Sequence, residues 1–120
     1  MNMLLLIAHG SRREASNEEV REIAKALEAV SAGSCAGVIP AFLELAEPSI
    51  VDGVRLCSEA GATEVTVIPY FLSAGRHVAE DIPRELEEAS RQHPQLHIHL
   101  REHIGAHQEM PRLLYKLAAG

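Results

Sequence analysis

Apolar residues fall along this chain in two ways, as short unbroken runs and as stretches where they recur every three or four positions. Residues 3–8 (MLLLIA) form an unbroken run, as expected of a strand buried on both faces. After a polar turn, Val20, Ile23, Ala24, Leu27 and Val30 recur at helical spacing. Ser16 with Glu19 reads as a capping box at the start of that helix, and Gly33 as its end. Residues 35–42 predict a second strand, and Pro40 within it lacks an N–H for the ladder, which assigns the strand to a sheet edge. Pro48, taken as the first helical position after Glu47, opens a second helix with Ile50, Val51, Val54 and Cys57 on its apolar face and Gly61 at its close. The β-branched segment 64–69 (EVTVIP) predicts a third strand. A third helix follows the loop 70–76 and carries Ile82, Leu86 and Ala89. Pro83 belongs in or near its first turn, because further inside it would break the helix. Residues 95–100 alternate as a fourth strand, and a last helix presents Met110, Leu113, Leu114 and Leu117.

The order βαβαβαβα, with no linker or repeat, predicts a single α/β domain over residues 1–120: one four-stranded parallel sheet with flanking helices and right-handed crossovers. A strand order 2-1-3-4 puts the Pro40 strand at an edge. Ligands of such sheets bind beyond the carboxyl ends of the strands where the order reverses, here between strands one and three.

Composition narrows the function. The chain is 47% hydrophobic and has two Phe, two Tyr and no Trp, so its core is aliphatic. A net charge of −6 argues against nucleic acid or an anionic membrane as partner, since both demand a basic surface. Nothing approaches the roughly 20 apolar residues of a membrane span, and the first apolar run is too short for a secretion signal. A soluble cytoplasmic protein is expected. Cys35 and Cys57 fit no zinc spacing and read as reduced, buried structural thiols.

Two loops leave the expected switch point, and each brings a histidine. The first is His9-Gly10-Ser11-Arg12-Arg13; the second is 70–76 (YFLSAGR), followed by His77. Gly10 and Gly75 are candidates for backbone conformations closed to other residues, with amides free for a ligand. Imidazole ligates Co²⁺, Fe²⁺ or Ni²⁺ and accepts protons near pH 7. One histidine at a helix start is usually a cap; two converging on a switch point are less easily explained that way. Glu44 lies at the same rim and is a candidate third donor or proton carrier, whereas Glu47 beside Pro48 suits a helix N-terminus. His97 and His99 fit a half-exposed edge strand and His93 a solvated turn, while His103 and His107 are candidates for a supporting role. Glu85, Glu87 and Glu88 read as a solvated helix face.

The segments His9-Gly10-Ser11-Arg12, Glu44-Leu45-Ala46-Glu47-Pro48, Ile68-Pro69-Tyr70-Phe71-Leu72 and Gly75-Arg76-His77 resemble the short class II chelatases, which insert cobalt, nickel or iron into sirohydrochlorin. Asp81-Ile82-Pro83 and residues 101–106 fit the same pattern, so the resemblance covers essentially the whole chain. It implies that His9 is a metal ligand and proton acceptor, that His77 is the second metal histidine, and that Glu47 and Leu72, Ser73, Ala74, Gly75 and Arg76 touch the tetrapyrrole. It also implies a symmetric homodimer, with the divalent metal as substrate and no tightly bound cofactor. Relatives often carry a histidine where this chain has Ser73-Ala74, and the histidine-rich insertion of some is missing.

Metallation removes two pyrrole N–H protons as the metal exchanges its ligands for four ring nitrogens. Two imidazoles, with Glu44 as a third donor, hold an ion while leaving positions open for the ring. Ser11, Arg12, Arg76 and loop amides are candidates for the substrate's carboxylates. Cobalt is the expected metal, with ferrous iron and then nickel as alternatives. A histidine phosphatase also has His-Gly after its first strand, but that chemistry wants arginine where this chain has Ala8. A non-enzymatic metal or tetrapyrrole carrier would use the same ligands without turnover.

Overall fold

The computed structural model describes residues 1–120. Strands β1 (Asn2–Ala8), β2 (Val38–Phe42), β3 (Glu64–Pro69) and β4 (His97–Leu100) alternate with helices α1 (Glu14–Val30), α2 (Ile50–Glu59), α3 (Ile82–Gln92) and α4 (Met110–Ala119). All pairings are parallel and the order is β2-β1-β3-β4, as the sequence predicts. β1 is central, and its unbroken apolar run follows from that: Leu5 and Ile7 are buried on one face, Leu6 on the other. α2 and α3 cover the first face, packing Ile50, Val54, Cys57, Ile82, Leu86 and Ala89 on Val65 and Val67. The second face is thinner. There α1 closes only a small cluster of Leu6, Ala24 and Val38, with Val20 and Leu27 at its margin. No helix is long and apolar enough to cross a membrane.

Several boundaries differ from the sequence reading. The Ser11 hydroxyl accepts from the Arg13 N–H (3.0 Å), a tight turn that starts α1 before Ser16, so Ser16 is helical and the capping box does not form. At the other end the Ser31 hydroxyl donates to the Leu27 carbonyl (2.8 Å), and Gly33 lies in the turn beyond with φ +92°. Cys35 bridges back to Ala32, which delays β2 to Val38, and Cys35 is only half-buried while Cys57 is fully buried. Pro48 does not open α2. It follows a cis peptide bond and its carbonyl accepts from the Phe42 N–H (2.9 Å); Ser49 caps the helix instead, accepting from the Asp52 N–H (3.1 Å). Pro83 sits in the first turn of α3, but a π-helical turn, His77–Asp81, precedes it. A bond from the Leu96 N–H to the His93 carbonyl keeps Gln95 and Leu96 in a turn, so β4 starts at His97.

α4 stands apart. None of its residues is buried, and it packs on little beyond the 3₁₀ turn Ile104–Ala106. Leu113, Leu114 and Leu117 are about half exposed or more, and with Tyr70, Phe71 and Leu72 they border an entirely apolar groove of about 360 Å³.

Candidate metal centre

The site grows out of the parallel register at the carboxyl end of the sheet. β1 and β2 pair through Ala8 and Phe42, and the ladder continues past both strands. The Leu43 N–H donates to the Ala8 carbonyl (3.0 Å) and the Glu44 N–H to the His9 carbonyl (3.1 Å). That continuation sets Glu44 beside His9, and the side chains meet: His9 Nε2 lies 2.9 Å from Glu44 Oε2. Gly10 permits it. Its φ is +96°, and a Cβ there would sit 1.7 Å from the Glu44 carbonyl oxygen. Leu45, the next residue on, also has positive φ (65°), uncommon for a leucine and thus a second constraint on this loop.

Asn17, buried in the first turns of α1, fixes the other side of the histidine loop. Its Oδ1 accepts from the Ser11 N–H (2.9 Å) and its Nδ2 donates to the Ser11 carbonyl (2.8 Å). Nδ2 also donates to Glu14 (3.2 Å), whose carboxyl is held below its ordinary range by hydrogen bonds from Arg21 and then Asn17.

His77 arrives from the far side of the switch point, at the start of the π-helical turn. The His9 and His77 rings have centroids 4.6 Å apart and are inclined by 38°. His77 Nδ1 lies 2.7 Å from Asp81 Oδ2, and Arg84 donates to Asp81 Oδ1 at 3.0 Å. Hydrogen bonds from His77 and then Arg84 hold the Asp81 carboxyl below its ordinary range. Leu43, Glu44, His77, Asp81, Arg84 and Glu85 line a polar pocket of about 220 Å³ at this end of α3. Two half-exposed imidazoles, each with a carboxylate on one nitrogen, can bind a cation and pass a proton to solvent.

The other residues named from sequence scatter. Glu47 is exposed, and with Ser49 as the cap it is not at the helix start expected of it. Arg12, Ser73 and Ala74 are exposed, and Arg76 is 83% exposed and pairs only with Glu80 (3.4 Å). Gly75 is exposed, with φ outside the left-handed region and open space around its Cα, so it does not use the special conformation expected of it. His107 makes a local turn, its Nδ1 accepting from the Glu109 N–H (3.1 Å) just ahead of α4. His93 is half-buried with Nε2 lacking a partner, contrary to a solvated turn, because its backbone closes α3 onto Ala89. Glu85 is half-buried in the polar pocket, whereas Glu87 and Glu88 pair with Arg91 on the solvated face. Asp81 and Asn17 carry no role in the sequence reading; the i, i+4 spacing of His77 and Asp81 was the available signal for one.

The CbiX family model matches residues 3–119. The chloroplastic sirohydrochlorin ferrochelatase of Arabidopsis thaliana is 40% identical over 89 residues, which is 74% of this chain and 39% of that protein. The sirohydrochlorin cobaltochelatase of Methanopyrus kandleri is 36% identical over 86 residues, 72% of this chain and 59% of that one. The fold is similar to that of the sirohydrochlorin chelatase SirB from Bacillus subtilis subspecies spizizenii, solved in complex with cobalt, with a TM-score of 0.87 at 30% identity over 98% of this chain and 50% of SirB. The chain thus spans between 39% and 59% of the length of these three proteins. A family match running almost end to end, with the same sheet beneath it, makes this chain a member of the CbiX family.

Proposed function

We propose that this chain is a single-domain cytoplasmic chelatase that inserts a divalent metal into sirohydrochlorin, with cobalt as the metal and ferrous iron, then nickel, as the alternatives. The observation that carries the reading is the pair of imidazoles 4.6 Å apart at the switch point, with Glu44 on one of them. His9, His77 and Glu44 present the metal, which is a substrate and leaves with the ring; no resident cofactor is needed. Such a donor set accepts cobalt, iron and nickel alike, and the related proteins are named for iron and for cobalt. Glu44 Oε2 lies 2.9 Å from His9 Nε2, so the two together are the acceptor for a pyrrole proton, in step with departure of the metal. Ser11, Arg12 and Arg76 face the substrate carboxylates, and Glu47 with residues 72–75 borders the ring.

The working unit in this reading is a symmetric homodimer. The exposed leucines of α4 are an unpartnered apolar surface that a second copy can cover. Sedimentation of wild type as a dimer, and of Leu114→Asp as a monomer, is the expected result.

The decisive experiment follows sirohydrochlorin absorbance anaerobically with Co²⁺, Fe²⁺ or Ni²⁺ for wild type, His9→Ala and His77→Ala. Multiple turnovers by wild type, lost in both variants, are expected, and the relative rates rank the metals. A wild-type rate equal to the uncatalysed background would overturn the chelatase reading in favour of a carrier.

A further inference from the structure

Both histidines of the pair carry a carboxylate, but the two carboxylates are held differently. Glu44 makes its side-chain contact with His9 alone and is half exposed. Its oxygen and His9 Nε2 are 2.9 Å apart, the spacing of neighbouring donors on one ion when metal–ligand bonds are about 2.0–2.2 Å and meet at near right angles. Asp81 is the opposite case. Its Oδ2 is committed to His77 Nδ1 at 2.7 Å, its Oδ1 to Arg84 at 3.0 Å, and its side chain is only 21% exposed.

An ionised carboxylate only accepts, so the proton between Asp81 and His77 belongs to Nδ1. That fixes the tautomer: Nε2 carries the lone pair. Asp81 lies four residues after His77 across one π-helical turn, on backbone that continues into α3, so the ring's angle is set within that turn along with its tautomer. Arg84 completes the arrangement by holding the second oxygen and keeping Asp81 from turning onto the ion. Carboxylates that accept from the distal N–H of a ligating histidine raise its basicity and fix its ring, and losing one typically costs about 10–100-fold in metal affinity.

We propose that Asp81, braced by Arg84, is a positioning residue that presents His77 Nε2 to the incoming metal. This rests on the reading of His77 as a metal ligand. The two carboxylates divide the work: Glu44 binds and exchanges, while Asp81 stays off the metal and aims its partner.

The test is a titration of the protein with Co²⁺ alone, read from the cobalt d–d absorption, for wild type, His77→Ala, Asp81→Ala, Asp81→Asn and Glu88→Gln. Asp81→Ala should weaken Co²⁺ binding about 10–100-fold. Asp81→Asn, whose amide oxygen still accepts from Nδ1–H, should recover part of that loss, and Glu88→Gln, two turns further along α3 where the carboxylate bonds Arg91 and Gln92, should bind as wild type does. KM for sirohydrochlorin should be unchanged in Asp81→Asn. Unaltered Co²⁺ affinity in both Asp81 variants, with His77→Ala weakened, would overturn this inference and leave the chelatase reading standing. Unaltered affinity in His77→Ala would instead overturn the metal role of His77 itself. Should the Asp81 variants fail to fold, long-range ¹H–¹⁵N spectra of metal-free wild type decide: His77 protonated on Nδ1 supports the proposal, and on Nε2 overturns it.

Discussion

The two sides of the histidine pair are built by different means. His9 and Glu44 are brought together by backbone: a parallel ladder running past the ends of β1 and β2, a glycine that lets the two loops touch, and a buried asparagine gripping Ser11 from both sides. His77 is held by a local pair on its own helical turn, and the loop before it is largely exposed. One side is therefore bound to the stability of the sheet, and the other is adjustable without it. For the chelation proposed above, one fixed and one adaptable wall suit a large flat ring that has to enter and leave.

The comparison breaks most readily at Gly10. A methyl group there would meet the Glu44 carbonyl at 1.7 Å, backbone that no rotamer change can move, and the residue has φ +96°. Overpacking and left-handed strain together should destabilise Gly10→Ala by roughly 2–5 kcal/mol, read from the urea midpoint. Chelation should fall with it, because Glu44 has to move away from His9. Next in size is Asn17→Ala. Both Ser11 backbone groups lose their partner in a nearly buried place, which should cost about 1–3 kcal/mol. Here the sheet is untouched, so a fall in chelation larger than the fraction unfolded would show that the Asn17 grip positions His9.

Much of this was legible in the sequence, for a physical reason. A strand buried on both faces must be an unbroken apolar run, so β1 announces itself and with it the switch point, His9 and His77. β3, with its run of β-branched residues, was read to the residue. Helix starts were misread where a nearby serine was passed over: the Ser11 turn starts α1 at Glu14 with no side-chain cap, and Ser49, not Pro48, opens α2. Asn17 was invisible because its partners are main-chain atoms of another segment, and no spacing rule encodes those. Glu47 misses the helix start because Ser49 caps α2, and Gly75 takes no left-handed φ, since the loop does not turn tightly there.

A smaller effect tests the fixed wall through pH. The Glu14 carboxyl is lowered from 4.5 mainly by Arg21 and then by Asn17, so the folded state holds its proton less tightly than the unfolded state. Its contribution is therefore full above the ordinary glutamate range and is lost as pH falls through the depressed folded value. Wild type should be slightly more stable than Glu14→Gln at pH 7, and the gap should close on acidification. A gap that stays constant with pH would mean that Glu14 acts by packing and not by charge.

The smallest effect is expected at Gly75, and it probes the other wall. With open space around its Cα and φ outside the left-handed region, Gly75→Ala should leave stability within about 0.5 kcal/mol of wild type. Turnover is then the informative quantity. If chelation is also unchanged, residues 72–76 work in the conformation seen here, and the adaptable wall moves by side chains alone. If turnover falls while the urea midpoint and Co²⁺ affinity hold, the loop must pass through a backbone conformation that alanine resists, and the glycine matters for the motion around the ring and not for the resting fold. The same substitution at Gly10 cannot make that distinction, because there the resting fold already needs the glycine.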